Sequence, residues 1–193
     1  QTVAAASGTA LITVDASGEN SIVVCAGANA AIDAAAVEAT PHTAVLAQLE
    51  VADEVVAAVF AATDGFVVLN PSPARDLPRE ITDRVNLFIV NETEYAQLPQ
   101  LASAPLVALT LGSEGAVLLR EGVEVARAEA VRVEVRSTVG AGDAFAAALT
   151  LGLLRGDDPG DALQRACAVG AAAVADDRSQ PALLALDSYS LAV

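Results

Sequence analysis

The fold of this chain is decided by residues 43–69, TAVLAQLEVADEVVAAVFAATDGFVVL. Apolar residues dominate 43–49 and 66–69, which predicts two buried strands. Between them, over residues 52–62, the valines and the phenylalanine recur at the spacing of one helix face. A buried strand, a helix and a second buried strand in this order are typical of a parallel pair joined by a helical crossover.

The same alternation of strand and helix continues along the chain. Further strands are predicted at 87–90, 106–111, 116–120, 123–127 and 131–135, and further helices at 78–84, 92–98, 142–154 and 159–175. Glu121-Gly122 separates two of these strands and predicts a hairpin. The pattern therefore predicts an α/β fold with a doubly wound, mostly parallel sheet flanked by helices.

The N-terminal segment has a different pattern. Residues 9–14 and 21–25 are predicted to form a hairpin around a turn at 15–18, and residues 30–39 a short helix. We divide the chain into residues 1–29, a small β segment, and residues 30–193, the α/β domain.

Composition and charge exclude several function classes. The 193 residues carry 25 acidic and 10 basic side chains, a net charge of −15. Such a surface repels polyphosphate, so we expect no nucleic-acid partner. The sequence has no basic membrane-binding helix, so we expect no membrane partner. Cys25 and Cys167 lie far apart, as expected for reduced thiols of a cytoplasmic protein. His42 is the sole histidine, which excludes a zinc site built from several histidines.

The most informative local motif is TVGAGD at residues 138–143, directly before a predicted helix. Glycines there let backbone N–H groups turn toward one point, and the helix dipole adds partial positive charge. Asp143 within such an anion cradle suits a base that takes a proton from an attacking hydroxyl. The alternative is an aspartate that caps a helix behind a glycine turn, and the pattern alone leaves both open.

Three other polar positions follow predicted parallel strands, where ligands bind in open sheets. Residues 110–115, TLGSEG, form a glycine turn that suits a nucleotide or a plain hairpin. The string NETE at 91–94 suits phosphate binding or a simple helix cap. Glu50 suits a sugar contact or a solvated strand end.

Taken together and in this order, these strings resemble the ribokinase-like (PfkB-type) sugar kinases. The resemblance runs from about Gly8 to Pro181. It rests on GTALI at 8–12, GENSI at 18–22, GAN at 27–29, QLE at 48–50, NPSPA at 70–74, NETE at 91–94, TLGSEG at 110–115 and GAGD at 140–143. It also implies that residues 1–29 are the remainder of a β lid.

The resemblance implies a role for each matching residue. Asp143 would be the catalytic base, and Gly140, Ala141 and Gly142 would supply N–H groups to the transferring phosphoryl group. Nucleotide contacts would come from Asn91, Thr110, Gly112, Ser113, Gly115 and Cys167. Glu94 would order the water shell of Mg²⁺, and Glu50 would bind a sugar hydroxyl.

The resemblance also implies a monovalent cation site, which this chain matches poorly. The corresponding positions are Ser137, Val139, Ala173, Asp176 and Arg178. Ser137 stands where the family has an aspartate, Arg178 where it has a glycine, and Ala182 where it has a serine. We therefore expect little or no activation by K⁺.

The function implied is ATP-dependent transfer of the γ-phosphoryl group to a sugar hydroxyl, with D-ribose giving ribose 5-phosphate. Deoxyribose, fructose or a nucleoside are the alternatives within the family, and a non-catalytic nucleotide-binding relic is the alternative outside it. The family's opening strand, with its sugar-binding aspartate, and most of the lid are expected to be missing from this chain. Pairing into a homodimer through the lid is also implied.

Overall fold

The computed structural model describes residues 1–14, 20–38, 42–178 and 180–189. The strands are β1 (Thr9–Val14), β2 (Asn20–Cys25), β3 (Ala44–Ala47), β4 (Phe66–Leu69), β5 (Leu87–Asn91), β6 (Val107–Thr110), β7 (Ala116–Arg120) and β8 (Val123–Ala128). The α-helices are α1 (Asp53–Ala61), α2 (Arg79–Thr82), α3 (Glu92–Gln97), α4 (Ala141–Arg155) and α5 (Pro159–Val174).

The central sheet contains six strands in chain order, from β3 to β8. Strands β3 to β6 are parallel, whereas β7 and β8 run antiparallel at one edge. The helices α1, α2 and α3 fall between the parallel strands. The predicted alternation of strand and helix, the mostly parallel sheet and the hairpin around Glu121-Gly122 are confirmed.

Helices cover both faces of this sheet because its strands are apolar on both sides. In β4, Val67 and Leu69 pack with Phe60 of α1 and Ile81 of α2. Val68 points the other way, into a core formed with α4 and α5. A strand that is buried on both faces reads as a continuous apolar run, which explains why FVVL was recognisable in the sequence.

The last two helices pack closely against each other and share one hydrophobic core with the sheet. A Cβ added at Gly152 of α4 would lie 2.9 Å from the Cβ of Ala162 in α5. At the start of α5 the side chain of Asp158 accepts hydrogen bonds from the N–H groups of Gly160 and Asp161. The residue that follows α4 is Gly156, whose φ of 80° ends the helix. None of the helices in the described part of the chain is long and apolar enough to cross a membrane.

The N-terminal hairpin is confirmed, with β1 and β2 pairing antiparallel in a separate two-stranded sheet. Its predicted turn at 15–18 lies outside the described residues. Leu11 pairs with Val23 and Ile12 with Ile22, so apolar side chains occupy both faces, and all four are exposed. The division of the chain at residue 29 stays a prediction.

The predicted helix at 30–39 is wrong. Two 3-10 segments, Gly27–Ala31 and Ala34–Ala36, occupy this region instead, and residues 39–41 lie outside the described part. Ile32 is extended between them, and the Asp33 side chain accepts a hydrogen bond from the N–H of Ala35. This local cap starts a new turn and competes with a continuous α-helix.

The predicted strand at 131–135 is also wrong. Within residues 42–178, which the structure describes without a gap, no strand follows β8. Val131, Val133 and Val135 alternate as in a strand, yet they remain exposed and line a cavity beside α4. The alternation signals an apolar surface, and that surface borders a cavity in place of a neighbouring strand.

Candidate active site

The site lies at the edge of the sheet where the four parallel strands end. Gln48 and Asn70 follow β3 and β4 directly, Asn91 is the last residue of β5, and Thr110 is the last of β6. Asn91 and Thr110 face each other in the register of β5 and β6. The sheet therefore brings polar side chains from four separate chain segments to one edge.

The N-terminus of α4 opens at the same edge. Gly140 precedes the helix with a φ of 78°, a left-handed conformation that favours glycine. Ala144 donates to the carbonyl of Gly140 at 2.9 Å, so the N–H groups of Ala141, Gly142 and Asp143 precede the first helical bond. A Cβ added at Gly142 would meet nothing within 4 Å, and Ala141 and Gly142 both line a cavity, so this helix start is open to solvent. The arrangement fits an anion.

Asp143 is tied to the strand ends by a chain of hydrogen bonds. The side-chain amide of Gln48 donates from Nε2 to Oδ1 of Asp143 at 2.7 Å. The same Nε2 lies 3.4 Å from Oδ1 of Asn70, and Nδ2 of Asn70 donates to the carbonyl of Ile89 at 2.7 Å. Asp143 itself is exposed, so its carboxylate is held from one side and open to solvent on the other.

A cavity of about 630 Å³ lies between the start of α4, the turn after β6 and the segment after β8. This volume is within the range of small-molecule sites. It is lined by Thr110, Gly112, Ser113, Gly115, Ala130, Val131, Arg132, Val133, Val135, Thr138, Ala141, Gly142, Phe145, Cys167, Gly170, Ala171 and Val174. Every residue predicted to contact the nucleotide except Asn91 is in this lining, together with two of the three predicted N–H donors.

The turn after β6 forms one wall of the cavity through tight backbone geometry. Residues Gly112–Glu114 form a 3-10 turn, closed by a hydrogen bond from the N–H of Leu111 to the carbonyl of Gly115 at 2.8 Å. Gly112 and Gly115 have φ values of 55° and 100°. A Cβ at Gly115 would lie 2.1 Å from the carbonyl oxygen of Ala128, so only glycine lets the turn approach β8.

Cys167 lies on the opposite wall, in α5, and is buried. Burial raises the pKa of its thiol to about 11, because the thiolate loses its hydration there. The thiol is therefore neutral at physiological pH. It contributes an apolar surface to the cavity in place of a reactive group.

Asn91 and Glu94 form a reciprocal helix cap. The Asn91 side chain accepts from the N–H of Glu94 at 2.8 Å, and the Glu94 carboxylate accepts from the N–H of Asn91 at 2.9 Å. This is the capping alternative that the sequence left open. Neither residue lines the cavity. Their contacts with phosphate and with Mg²⁺ stay predictions.

The side chains near Asn91 and Glu94 could bind Mg²⁺ only through water molecules. In the described residues no three His, Cys, Asp or Glu side chains gather where they would hold a metal ion. The capping bond occupies one oxygen of Glu94 and leaves the other for solvent. Mg²⁺ retains several waters and is commonly bound by one or two carboxylates plus substrate phosphates, which is compatible with this single side chain.

Glu50 is exposed, just after β3, and does not line the cavity. Its surroundings are ordered by Arg75, which donates to the carbonyls of Leu49 and Val51 and pairs with Asp53 at 2.6 Å. A contact of Glu50 with sugar stays a prediction.

The residues matched to the monovalent cation site do not fit a free cation. The Asp176 carboxylate accepts two hydrogen bonds from the guanidinium of Arg178, at 2.8 and 2.5 Å, and further bonds from the N–H groups of Arg178 and Ala182. These contacts, led by the Arg178 side chain, hold the pKa of Asp176 well below its usual range. Both carboxylate oxygens are therefore engaged by the protein itself.

The other three matched residues add little to a cation site. The hydroxyl of Ser137 accepts from the N–H of Val139 at 3.2 Å. The carbonyl of Ala173 accepts from the N–H of Asp176. Asp176, the one carboxylate among the five matched residues, is therefore already neutralised by Arg178.

Sequence reasoning missed that Gln48, Asn70 and Arg132 lie at this site. Gln48 and Asn70 belong to the QLE and NPSPA strings, but only Glu50 was singled out from them. Their position directly after predicted parallel strands was the signal that could have identified them. Arg132 lines the cavity from a segment that was predicted to be a strand.

Comparisons with known proteins agree with this architecture. The family model described as pfkB family carbohydrate kinase matches residues 1–184. The ribokinase of Schizosaccharomyces pombe is 31% identical over 216 residues, covering 95% of this chain and 68% of that protein. The deoxyribokinase of Salmonella typhi is 30% identical over 210 residues, with the same two coverages.

A solved structure of similar fold is the Arabidopsis thaliana ribokinase complexed with ribose and ATP. It has a TM-score of 0.72 and 26% sequence identity, and the match covers 89% of this chain and 64% of that one. The chain thus spans about two thirds of the length of each of these three relatives. Both the family match and the α/β fold confirm the resemblance that the motifs indicated. The chain belongs to the pfkB family of carbohydrate kinases.

Proposed function

We propose that this protein transfers the γ-phosphoryl group of ATP to a hydroxyl of a pentose, with D-ribose as the acceptor. One observation supports this above all: the Asp143 carboxylate stands at the mouth of an open helix N-terminus, beside a cavity of nucleotide size. An anion site that also contains a carboxylate suits phosphoryl transfer to a hydroxyl better than simple phosphate binding.

The cavity would hold the nucleoside part of ATP. Its walls combine the glycine turn 112–115 with apolar side chains such as Phe145 and Val174, which suit a flat base. The phosphates would extend toward the N–H groups of Ala141 and Gly142 at the start of α4. Mg²⁺, when bound to the phosphates through the water shell near Glu94, would neutralise part of their charge.

Asp143 would act as the general base. Its carboxylate accepts the proton of the sugar hydroxyl as the oxygen attacks phosphorus, and the bond from phosphorus to the bridging oxygen of ADP breaks. The N–H groups at the helix N-terminus stabilise the charge on the transferring group. Glu50 would orient the sugar through a hydrogen bond to another hydroxyl.

Ribose is favoured because the relatives include ribokinases and one ribokinase structure complexed with ribose and ATP. A deoxyribokinase matches at similar identity, so deoxyribose is the first competing acceptor. These two sugars differ by one hydroxyl, and a carboxylate such as Glu50 is the type of group that distinguishes them.

The test is ADP release, with Mg-ATP and a panel of ribose, deoxyribose, fructose and a nucleoside, by purified protein in a form that includes the family's opening strand and lid. We expect turnover with ribose. We also expect Asp143→Asn to lower kcat by roughly 10²–10⁴, the range for loss of a general base. ATP affinity, measured by calorimetry, should change little, because the N–H groups remain.

Asp161→Asn is the matched control. Asp143 and Asp161 occupy the same third position of α4 and α5, but Asp143 is hydrogen-bonded to Gln48 at the ends of the parallel strands, whereas Asp161 lies beside the Asp158 cap of α5. It should retain wild-type kcat. ATP binding without ADP release for any acceptor would favour the non-catalytic alternative, and a fully active Asp143→Asn would exclude Asp143 as the base.

A further inference from the structure

We infer that Gln48 is a positioning residue for the base Asp143, an inference that rests on the proposed function. Gln48 follows β3 and Asp143 lies in the first turn of α4, 95 residues later, yet their side chains join at 2.7 Å. This is the direct side-chain link between the carboxylate and the ends of the parallel strands.

The neighbouring contacts decide which end of the Gln48 amide faces Asp143. Nδ2 of Asn70 donates to the carbonyl of Ile89, a group that can only accept, so Oδ1 of Asn70 faces Gln48. An oxygen there requires a donor, and the amide nitrogen of Gln48 is the donor within reach. The same nitrogen then donates to Asp143, whose carboxylate can only accept. The hydrogen bond at Asn70 therefore sets the orientation of the Gln48 amide, which in turn donates to Asp143.

The consequence for the reaction is geometric. An aspartate in the first turn of a helix is free to rotate about two side-chain bonds. The hydrogen bond from Gln48 holds Oδ1, so Oδ2 is the oxygen left to receive the proton of an incoming hydroxyl. A general base must lie within hydrogen-bond reach of the proton it removes, so fixing one oxygen orients the other.

A purely structural tie between β3 and α4 is the competing explanation, and the two make different predictions. A structural tie would alter folding stability and would affect ATP affinity and turnover alike. A positioning contact affects kcat and leaves ATP binding intact, because the cavity and the N–H groups do not involve Gln48.

The test is Gln48→Met, which keeps the length of the side chain and removes the donor. We expect kcat to fall on the order of 10–10²-fold, the cost of a small misplacement of a reacting group. The KM and Kd for ATP should stay within about twofold of wild type. Gln164→Met is the matched control, since the amide of Gln164 also contacts another segment, at the carbonyl of Glu129, and neither of these two residues lines the cavity or contacts Asp143 in the hydrogen bonds described. It should leave kcat unchanged.

A double-mutant cycle separates positioning from general damage. In the Asp143→Asn background, Gln48→Met should have no further effect on kcat, because no base remains to be oriented. The same fold-loss in both backgrounds, or a Gln48→Met protein with normal kcat, would overturn the inference while the proposed function stands. Absence of sugar-dependent ADP release from the wild-type protein would overturn the proposed function, and the inference with it.

Discussion

The rate at which Cys167 is alkylated tests whether the candidate nucleotide cavity buries this thiol. Its thiol is buried in the cavity wall, and burial raises its pKa to about 11. Because the thiolate is the nucleophile toward iodoacetamide, we expect slow alkylation at pH 8. Cys25 is exposed on β2 and serves as an accessible thiol in the same molecule.

The pKa of Cys167 determines how much more slowly it should be alkylated than an ordinary cysteine. At pH 8 a thiol with a pKa near 11 is about 0.1% thiolate, whereas a cysteine in a model peptide with a pKa near 8.5 is roughly a quarter thiolate. Cys167 should therefore react on the order of 10² times more slowly than the peptide. Raising the pH to 10 should accelerate Cys167 roughly 90-fold, but the peptide only about fourfold, since the peptide thiol is already largely ionised.

The assay is alkylation of the native protein with iodoacetamide, followed by mass spectrometry of the two cysteine-containing peptides, with the model peptide in the same tube. Mg-ATP should slow the reaction of Cys167 further and leave Cys25 unaffected. Alkylation of Cys167 at pH 8 within tenfold of the peptide would refute the burial argument. Slow alkylation without protection by ATP, in a protein that calorimetry shows to bind ATP, would instead show that the nucleotide does not cover Cys167.

Two further predictions concern the backbone and the cation. Gly115→Ala should destabilise the fold by at least about 2 kcal/mol in urea unfolding, because its φ of 100° and a Cβ 2.1 Å from the carbonyl of Ala128 are both unfavourable. Gly112→Ala, with a φ of 55° and open space, should cost only about 1 kcal/mol, and equal losses for the two variants would contradict the close approach of the turn. K⁺ should raise turnover less than twofold in the wild-type protein, whereas Arg178→Gly should gain stimulation by K⁺, because it frees the carboxylate of Asp176. Strong activation of the wild-type protein at millimolar K⁺ would show that Arg178 does not occupy the cation position.

The elements that the sequence predicted well are those whose burial is uniform along the strand. Strand β4 has the predicted bounds, Phe66–Leu69, because it is apolar on both faces and a glycine precedes it. The hairpin of β7 and β8 was also predicted, since Glu121-Gly122 supplies the positive φ values that its turn uses. These signals are local, so they survive in a single sequence.

Sequence-based prediction failed where contacts between distant parts of the chain determine the local structure. Residues 131–135 alternate like a strand, but no neighbouring strand pairs with them among residues 42–178, and they border the cavity. The contact of Gln48 with Asp143 joins positions 95 residues apart, and no local pattern encodes which strand end will lie beside which helix. The glycine string was recognisable, because an open helix N-terminus needs small residues in sequence. Gln48, the residue that holds the Asp143 carboxylate, was not recognisable from the sequence.

The distribution of charged side chains around the cavity explains how so acidic a protein could bind an anionic nucleotide. A protein with a net charge of −15 would repel a nucleoside triphosphate if its acidic side chains were spread evenly over its surface and around the cavity. Among the described residues that line the cavity, however, there is one charged side chain, Arg132, and no carboxylate. The attraction that remains comes from Arg132 and from the N–H groups at the start of α4, both at short range. Asp143 does not line the cavity and is hydrogen-bonded to Gln48, so the carboxylate proposed as the base lies at the start of α4 without placing its negative charge in the cavity wall.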